Sequence, residues 1–576
     1  MVFKVIPESS FTPLAWPPPR HLESLINFSM MRISFINLMM LSTFFLLLPA
    51  AALVCPSPGF RGMVMLRAAP TAAVPDEISA AHPLRVVIAG AGVGGLTLAN
   101  ALRDAPNIDV RVIEKTSAFK RFGGPIQLAS NAMQLYREMD PDLYDKIEAK
   151  FTWTGNLTNG IKDGLRDEWY AKFDLATPAA KRGMPYTGVI ERPDLQQILL
   201  DGLGDDVVSN GRGIASYGVE CALAADGAAG QSCPVVIRLD DEDTSEVAGD
   251  VLVGADGIWS EVRATMRDEP ARGEGSGVAY SGYTVFAGEL DYASPDNGEV
   301  GYKVYIGPGQ YFVITDIGKG RYQYYAFLAR PPGSAETEAK PDGSVAYLKA
   351  IFAGWSPDVH AILDATAEDE IQQRDLYDRP PSSLRPWSEG PVGLLGDSVH
   401  AMMPNLGQGG CQAIEDAVVL AQELKKLDRR SAADAALVTY RNRRLVRSAA
   451  VQGLSRFASD IIIRGFDTPA KIVDGRLENF NYAGIVTRLL QPILPLFFFV
   501  QFEFLYEGWR NEAALDLKTG LPLFLLGSFL LLAAAGAVGD AAILLPFGVE
   551  TIFGAEVFTT ISESAANILP SLDGLL

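Results

Sequence analysis

Residues 83–104 read PLRVVIAGAGVGGLTLANALRD, and the fold is decided there. Leu84 to Ala89 is an apolar, β-branched run of the kind that forms a buried parallel strand. Gly90, Gly92 and Gly95 complete G-x-G-x-x-G, and Leu96 to Leu102 continues with helical spacing. In such a strand–turn–helix the first glycine makes the tight turn and the second admits a pyrophosphate to the backbone. The third lets helix and strand pack closely. The helix N-terminus then offers free N–H groups and partial positive charge to the phosphates. A second strand, VRVIE, ends in Glu114, 24 residues after Gly90. A carboxylate there accepts hydrogen bonds from ribose hydroxyls and repels the extra phosphate of NADP, so FAD or NAD is expected.

Two further stretches decide between those ligands. GDVLVGADGIWSEVR runs a short apolar strand into Asp256-Gly257, with Arg263 six residues beyond. GPVGLLGDSVHAMMPNLGQGG runs another into Gly396-Asp397, then Pro404, Asn405, Gly407, Gln408, Gly409 and Gly410. A helix is expected to begin near Cys411, in CQAIEDAVVLAQEL, which makes this a second glycine-rich loop at a helix N-terminus. Its N–H groups suit an electron-rich edge such as a flavin carbonyl. Asp397, at a strand end, suits a ribityl hydroxyl.

The three motifs, in this order, resemble the single-component flavoprotein monooxygenases of the para-hydroxybenzoate hydroxylase type. The resemblance implies that Gly90, Gly92, Gly95 and Glu114 hold the ADP half of FAD. It gives Asp256 and Gly257 to cofactor and NAD(P)H, and Asp397 to the ribityl chain. Arg192, in ERPDLQQIL, matches the family's arginine near FAD. Pro404, Gly407, Gln408, Gly409 and Gly410 are expected to position the flavin, with Gln127 a second candidate near the ring. No side-chain nucleophile is implied, because the cofactor carries the chemistry.

GGPIQLASNAM, WYAKFDLATPAAKRGMP, YSGYTVFAGEL and GYKVYIGPGQYFV narrow the match. With the glycine-rich loop, they are similar to the zeaxanthin epoxidases over roughly Leu84 to Leu427. That resemblance implies epoxidation of the β-ring of a xanthophyll by way of a flavin C4a-hydroperoxide. O₂ is the co-substrate and NADPH or reduced ferredoxin the electron donor. GEGSGV, Gly273 to Val278, follows no strand, so NADPH is expected to bind transiently without a Rossmann domain of its own. After Tyr482 nothing resembles the forkhead-associated module of the land-plant members.

Composition closes off other classes. The net charge of −20 argues against nucleic acid. The four histidines, His21, His82, His360 and His400, are too few and too scattered for a metal centre or a Ser-His-Asp triad. Cys55, Cys221, Cys233 and Cys411 make no disulfide framework. Cys221 and Cys233 are read as free thiols on a loop, with a Cys221–Cys233 pair as the alternative.

The two ends read as something other than catalytic fold. From Met30, MMRISFINLMMLSTFFLLLPAAALVC has the layout of a signal peptide, which points to a start at Met30 or Met31. PSPGFRGMVMLRAAPTAAVP, basic and free of acids, then resembles a transit peptide. Together they form a bipartite plastid leader over residues 1–80, with a single uncleaved anchor as the alternative. Leu521 to Gly539 is uncharged and just long enough to span a bilayer. With LLQPILPLFFFVQF, broken by Pro492 and Pro495, it suits a surface lying in thylakoid or envelope membrane. The alternative is a helix docked on the main core.

The expected architecture is α/β. A doubly wound Rossmann-like FAD domain covers 81–275 and resumes over 385–455. An antiparallel-sheet substrate domain fills 276–384, and a helical, membrane-associating tail runs over 456–576. Partners are then a xanthophyll in lipid and a ferredoxin or reductase. The rival functions are a phenol or polyketide hydroxylase, an isoprenoid reductase and a non-catalytic carotenoid-binding flavoprotein.

Overall fold

A computed structural model describes residues 75–118, 124–204, 206–219, 233–241, 245–296, 298–307, 309–381, 385–464, 471–473, 476–478 and 494–507. The leader up to residue 74, Cys55, Cys221 and the apolar run Leu521 to Gly539 lie outside these residues.

Leu84–Ala89 sits where its unbroken apolar sequence requires, inside a six-stranded sheet and buried on both faces. The spatial order is Ser388–Glu389, Val392–Leu394, Val251–Gly254, Leu84–Ala89, Ile108–Glu114 and Val208–Asn210. All the pairings are parallel except the one between the first two strands. Three adjacent parallel strands therefore deliver three loops to one sheet edge: the G-x-G-x-x-G turn, the Asp256-Gly257 turn and the Gly396-Asp397 turn. Ligands of open α/β sheets bind at such carboxyl ends. The helices Val93–Leu102 and Gly409–Leu424 follow the first and third of these loops and bury their apolar faces in the same core.

A seven-stranded sheet forms the second layer. Its order is Gln372–Asp378, Ala279–Asp291, Arg321–Ala329, Gln310–Gly318, Val300–Gly307, Thr158–Asp163 and Trp169–Phe173. Alternation along the strands sorts side chains to two faces. Phe286, Phe312 and Tyr324 pack with Phe352 and Trp355 on one face, beneath the helices Gly343–Ile351 and Pro357–Ala365. Tyr283, Tyr311, Val313 and Phe327 occupy the other, with Met403 from the glycine-rich segment.

Several expectations are corrected here. Within 276–384 the substrate sheet is antiparallel as expected, but it is extended by one parallel pairing, of Val300–Gly307 with Thr158–Asp163. It also draws two strands from before residue 275, so that boundary does not divide the layers in sequence. The fold reaches back before residue 81: Ile78 is buried, its N–H donates to Asp428 O at 2.8 Å, and Arg430 donates to Pro75 and Glu77 carbonyls. Cys233 is disulfide-bonded rather than free.

The tail is helical where it is described. Ala433–Arg464 is one long helix, and Leu494–Glu507 packs on the core. Gln501, Leu505 and Tyr506 are buried, and Tyr506 Oη lies 3.1 Å from Thr187 Oγ1. Among the described residues, no helix is long and apolar enough to cross a membrane.

Candidate cofactor site

The three loops touch through their backbones. Ala255 N–H donates to Ala89 O at 2.8 Å, and Leu395 N–H donates to Gly254 O at 2.9 Å. Gly90 has φ +103, and a Cβ there would lie 2.6 Å from Ala255 O. A Cβ at Gly95 would lie 2.1 Å from Gly90 O, which no relaxation accommodates. Ser398 adds a link that the sequence did not announce: its buried hydroxyl donates to Gly254 O at 2.5 Å. By contrast, a Cβ at Gly92 or Gly257 would meet nothing within 4 Å. The backbone is crowded between the loops and open in front of them, as a pyrophosphate cradle must be.

Each expected side chain has a definite place. Glu114 closes the fingerprint loop, with Oε2 accepting from Ala91 N–H at 2.8 Å and Oε1 from the Thr116 N–H and hydroxyl, both at 2.8 Å. A carboxylate oxygen has two acceptor sites, so Oε1 is filled and Oε2 keeps one for a ribose hydroxyl. Asp256 uses one oxygen to accept from the N–H groups of Glu261 and Val262, starting the helix Glu261–Arg267. Its other oxygen is buried and without a partner. Arg263 does not face the open side; it is fully buried, bonded to Glu269 and to the Ile258 and Ser398 carbonyls.

Asp397 is exposed to solvent, yet burial raises its carboxyl pKa against the opposing influence of His400 and Arg192. Both facts hold for a group on the floor of an open cleft, wetted from one side and desolvated from the others. Arg192, whose Nε donates to Gly124 O at 3.1 Å, feels both Asp397 and Tyr325, so it belongs to the same cleft.

The glycine-rich loop completes the floor. Pro404–Leu406 forms a short turn of 3-10 helix, Gly407 follows with φ +60, and the helix begins at Gly409. A Cβ at Gly409 would be 4.0 Å from Asp397 Oδ1, while one at Gly410 would strike Ile126. First-turn N–H groups of a helix have no intrahelical acceptor and remain available. Gln127 lies against Gly407, close enough that a Cβ there would be 2.7 Å from its Nε2. Gln408 points inward, accepting from Asn131 Nδ2 at 3.2 Å, so its side chain holds the loop from behind.

Behind that loop lies a buried ionic network that pattern reading missed. Asp416 Oδ2 accepts from Gly396 N–H at 3.0 Å and pairs with His400 Nε2 at 2.6 Å; Oδ1 accepts from Arg444 Nε at 2.7 Å. Glu415 binds Arg444 at 2.5 Å, Arg447 through both oxygens at 2.7 and 2.8 Å, and Asn131 at 2.7 Å. Arg447 also donates to Leu505 O at 2.7 Å, tying the helix Leu494–Glu507 to this network. Desolvation works against both carboxylates, but the arginines and His400 hold them at about 2. A usable signal existed: adjacent acids in an otherwise apolar helix, and Arg444 and Arg447 one turn apart on another.

The wall opposite is aromatic. Tyr311 and Phe327 stack at 4.1 Å between centroids, and Tyr283 meets both edge-on. Tyr311 Oη donates to Asn405 Oδ1 at 2.8 Å, joining this wall to the glycine-rich loop. Among the described residues, no group of histidines, cysteines and carboxylates is arranged to hold a metal.

Residues 83–455 match a family described as FAD binding domain. The chain belongs to that family. The cofactor fits what is present: open backbone at Gly92 and Gly257, the unpartnered Asp256 oxygen, and Asp397 on a cleft floor. Among curated relatives, the chloroplastic zeaxanthin epoxidase of Spinacia oleracea is 41% identical over 399 residues, 67% of this chain and 55% of that protein. That of an Oncidium hybrid cultivar is 37% identical over 457 residues, 77% of this chain and 62% of that protein. The chain thus spans little more than half the length of such relatives. Among solved structures, Klebsiella pneumoniae HpxO complexed with FAD and uric acid is 27% identical with a TM-score of 0.56, covering 67% of this chain and 90% of that one. A salicylate hydroxylase substrate complex, 20% identical with a TM-score of 0.56 over 75% of this chain and 99% of that one, shares the fold.

Proposed function

We propose that this protein is an FAD-dependent monooxygenase that epoxidises the β-ring of a xanthophyll in a plastid. The observation that carries the reading is the extent of the likeness to zeaxanthin epoxidases. The match to the Spinacia oleracea enzyme takes in 67% of this chain and that to the Oncidium one 77%, the latter reaching well past the family match over residues 83–455. Shared FAD binding alone does not account for that span. The aromatic face of Tyr283, Tyr311 and Phe327, against the glycine-rich loop, suits an apolar polyene.

When bound, FAD supplies the activation of O₂ and the transfer of one oxygen atom, with electrons from NADPH or reduced ferredoxin. The protein's own residues bind, orient and exclude. Gly90 and Gly92 present backbone to the pyrophosphate, Glu114 accepts from the ribose, and Asp397 accepts from the ribityl chain. Arg192 adds positive charge to the cleft. The N–H groups of the Pro404–Gly410 segment stabilise negative charge at the flavin's edge. Met403 and the tyrosine–phenylalanine wall keep water from the reacting face.

The deciding experiment supplies the FAD-loaded protein with zeaxanthin, antheraxanthin or diatoxanthin in lipid, together with NADPH or with ferredoxin and its reductase, under air. Chromatography should show an epoxide formed with O₂ consumption. Turnover of phenols but not of xanthophylls would replace this reading with an aromatic hydroxylase. Product formed without O₂ uptake would make the protein a reductase.

A further inference from the structure

Below the Gly396-Asp397 turn, a cavity of about 340 Å³ opens between Arg379–Pro381, Arg267 and the middle of the long helix. Arg267, Arg379, Arg385, His400, Ser448 and Gln452 supply its polar lining. No carboxylate lines it among the described residues. It shares no residue with the fingerprint, with the Asp256-Gly257 turn or with the Pro404–Gly410 loop.

The polar groups around this space are short of partners. Arg267 Nε, His400 Nδ1 and Ser448 Oγ are buried and make no hydrogen bond, and neither does Arg263 Nη2 in the adjoining cluster. Native proteins rarely leave buried polar atoms unpaired, so several around one space point to something that pairs with them.

Charge points the same way. Arg263, Arg379 and Arg385 all draw on one carboxylate, Glu269. Arg267 has only the Pro386 carbonyl, at 2.7 Å. Burial and then repulsion from Arg379 pull the Arg267 guanidinium down to about 9; burial and then repulsion from Arg263 pull Arg379 down to about 10. Both remain cations at neutral pH, with less counter-charge than their number requires.

We propose that this cavity is an anion site for a phosphate group, held by Arg267, Arg379 and Arg385 with Ser448 and His400 completing the shell. Guanidinium forks match phosphate oxygens in geometry and charge. His400 already spends Nε2 on Asp416. Near neutral pH phosphate carries both a P–OH and bare oxygens, so it pairs with Nδ1 whether or not that nitrogen holds a proton. The volume exceeds a bare phosphate, leaving room for a second phosphate or a substituent. Asp416 Oδ2 receives both His400 and Gly396 N–H, so the anion is one side chain removed from the turn that carries Asp397.

The test is calorimetric titration of the FAD-loaded protein with inorganic phosphate, pyrophosphate, NADP⁺ and NAD⁺ at constant ionic strength in chloride. Thermal melting runs in parallel, because a ligand of the folded state raises Tm. Saturable binding of phosphate or pyrophosphate is expected, weakened about tenfold in Arg267→Gln and several-fold in Ser448→Ala. Arg166→Gln, at an exposed position away from the cavity, should bind as the parent does. Preference for NADP⁺ over both NAD⁺ and inorganic phosphate assigns the phosphate to a dinucleotide; preference for the free ions assigns it to them. The proposal fails if no phosphate-bearing probe saturates by about 10 mM, a Kd near the weak limit of specific binding. It fails equally if both variants, folded by circular dichroism, bind as tightly as the parent.

Discussion

Asp397 shows how one residue serves a ligand at a cost to the empty fold. Burial raises its carboxyl pKa, so the folded chain binds a proton more readily than the unfolded one. By linkage, this residue's contribution to stability falls as pH rises from the ordinary carboxylate value through its raised folded one. Asp397→Asn should therefore raise the Tm of the FAD-free protein at pH 7 while weakening FAD binding about tenfold, the cost of one charged hydrogen bond. Melting curves and flavin fluorescence titration read the two effects separately, and a lower Tm with unchanged affinity would contradict both. Asp397 was legible in the sequence because it follows a short apolar strand and precedes a glycine-rich loop. Arg263 was legible only as a position. That its guanidinium turns inward to Glu269 depends on a residue six places on, which no motif registers.

Elements follow the same division. The strand Leu84–Ala89 and the helix after it declared themselves through an apolar run and three glycines, because backbone geometry there leaves little choice. Thr158–Asp163 and Trp169–Phe173 did not show which sheet they would join, since pairing is settled by tertiary partners rather than local pattern. The helix Gly409–Leu424 was visible, but not the consequence of carrying Glu415 and Asp416 on its buried side. Removing one charge there strands its arginine partners, so Glu415→Gln should cost about 3–5 kcal/mol in denaturant unfolding. Both carboxylates have folded values lowered to about 2, so their contribution is fully present above the ordinary carboxylate range. It is lost as pH falls through that range toward about 2. Parent stability should drop steeply over this interval, and the Glu415→Gln curve should be flatter. Parallel curves would show that the network is not what titrates.

At the scale of the molecule, one hydrogen bond, Tyr311 Oη to Asn405 Oδ1, fastens the aromatic wall to the loop that faces the flavin. Tyr311→Phe removes it while keeping the ring stacked on Phe327. If the wall keeps the oxygenating face dry, the variant should release several-fold more hydrogen peroxide per NADPH consumed, with FAD affinity unchanged. Peroxide assays against product yield measure this, and unaltered coupling would reduce the bond to a packing detail. The parallel pairing of Thr158–Asp163 with Val300–Gly307 reaches further still. A strand made early in synthesis finds its neighbour only after some 140 more residues have left the ribosome. The first sheet likewise waits for Val392–Leu394 to take its place beside Val251–Gly254. Neither layer can finish before the other is largely translated, and until then each offers an unpaired strand edge to passing chains. A newly synthesised copy thus passes a long interval with both sheets incomplete, and because the layers alternate along the chain, no single cut in the gene should yield two working halves.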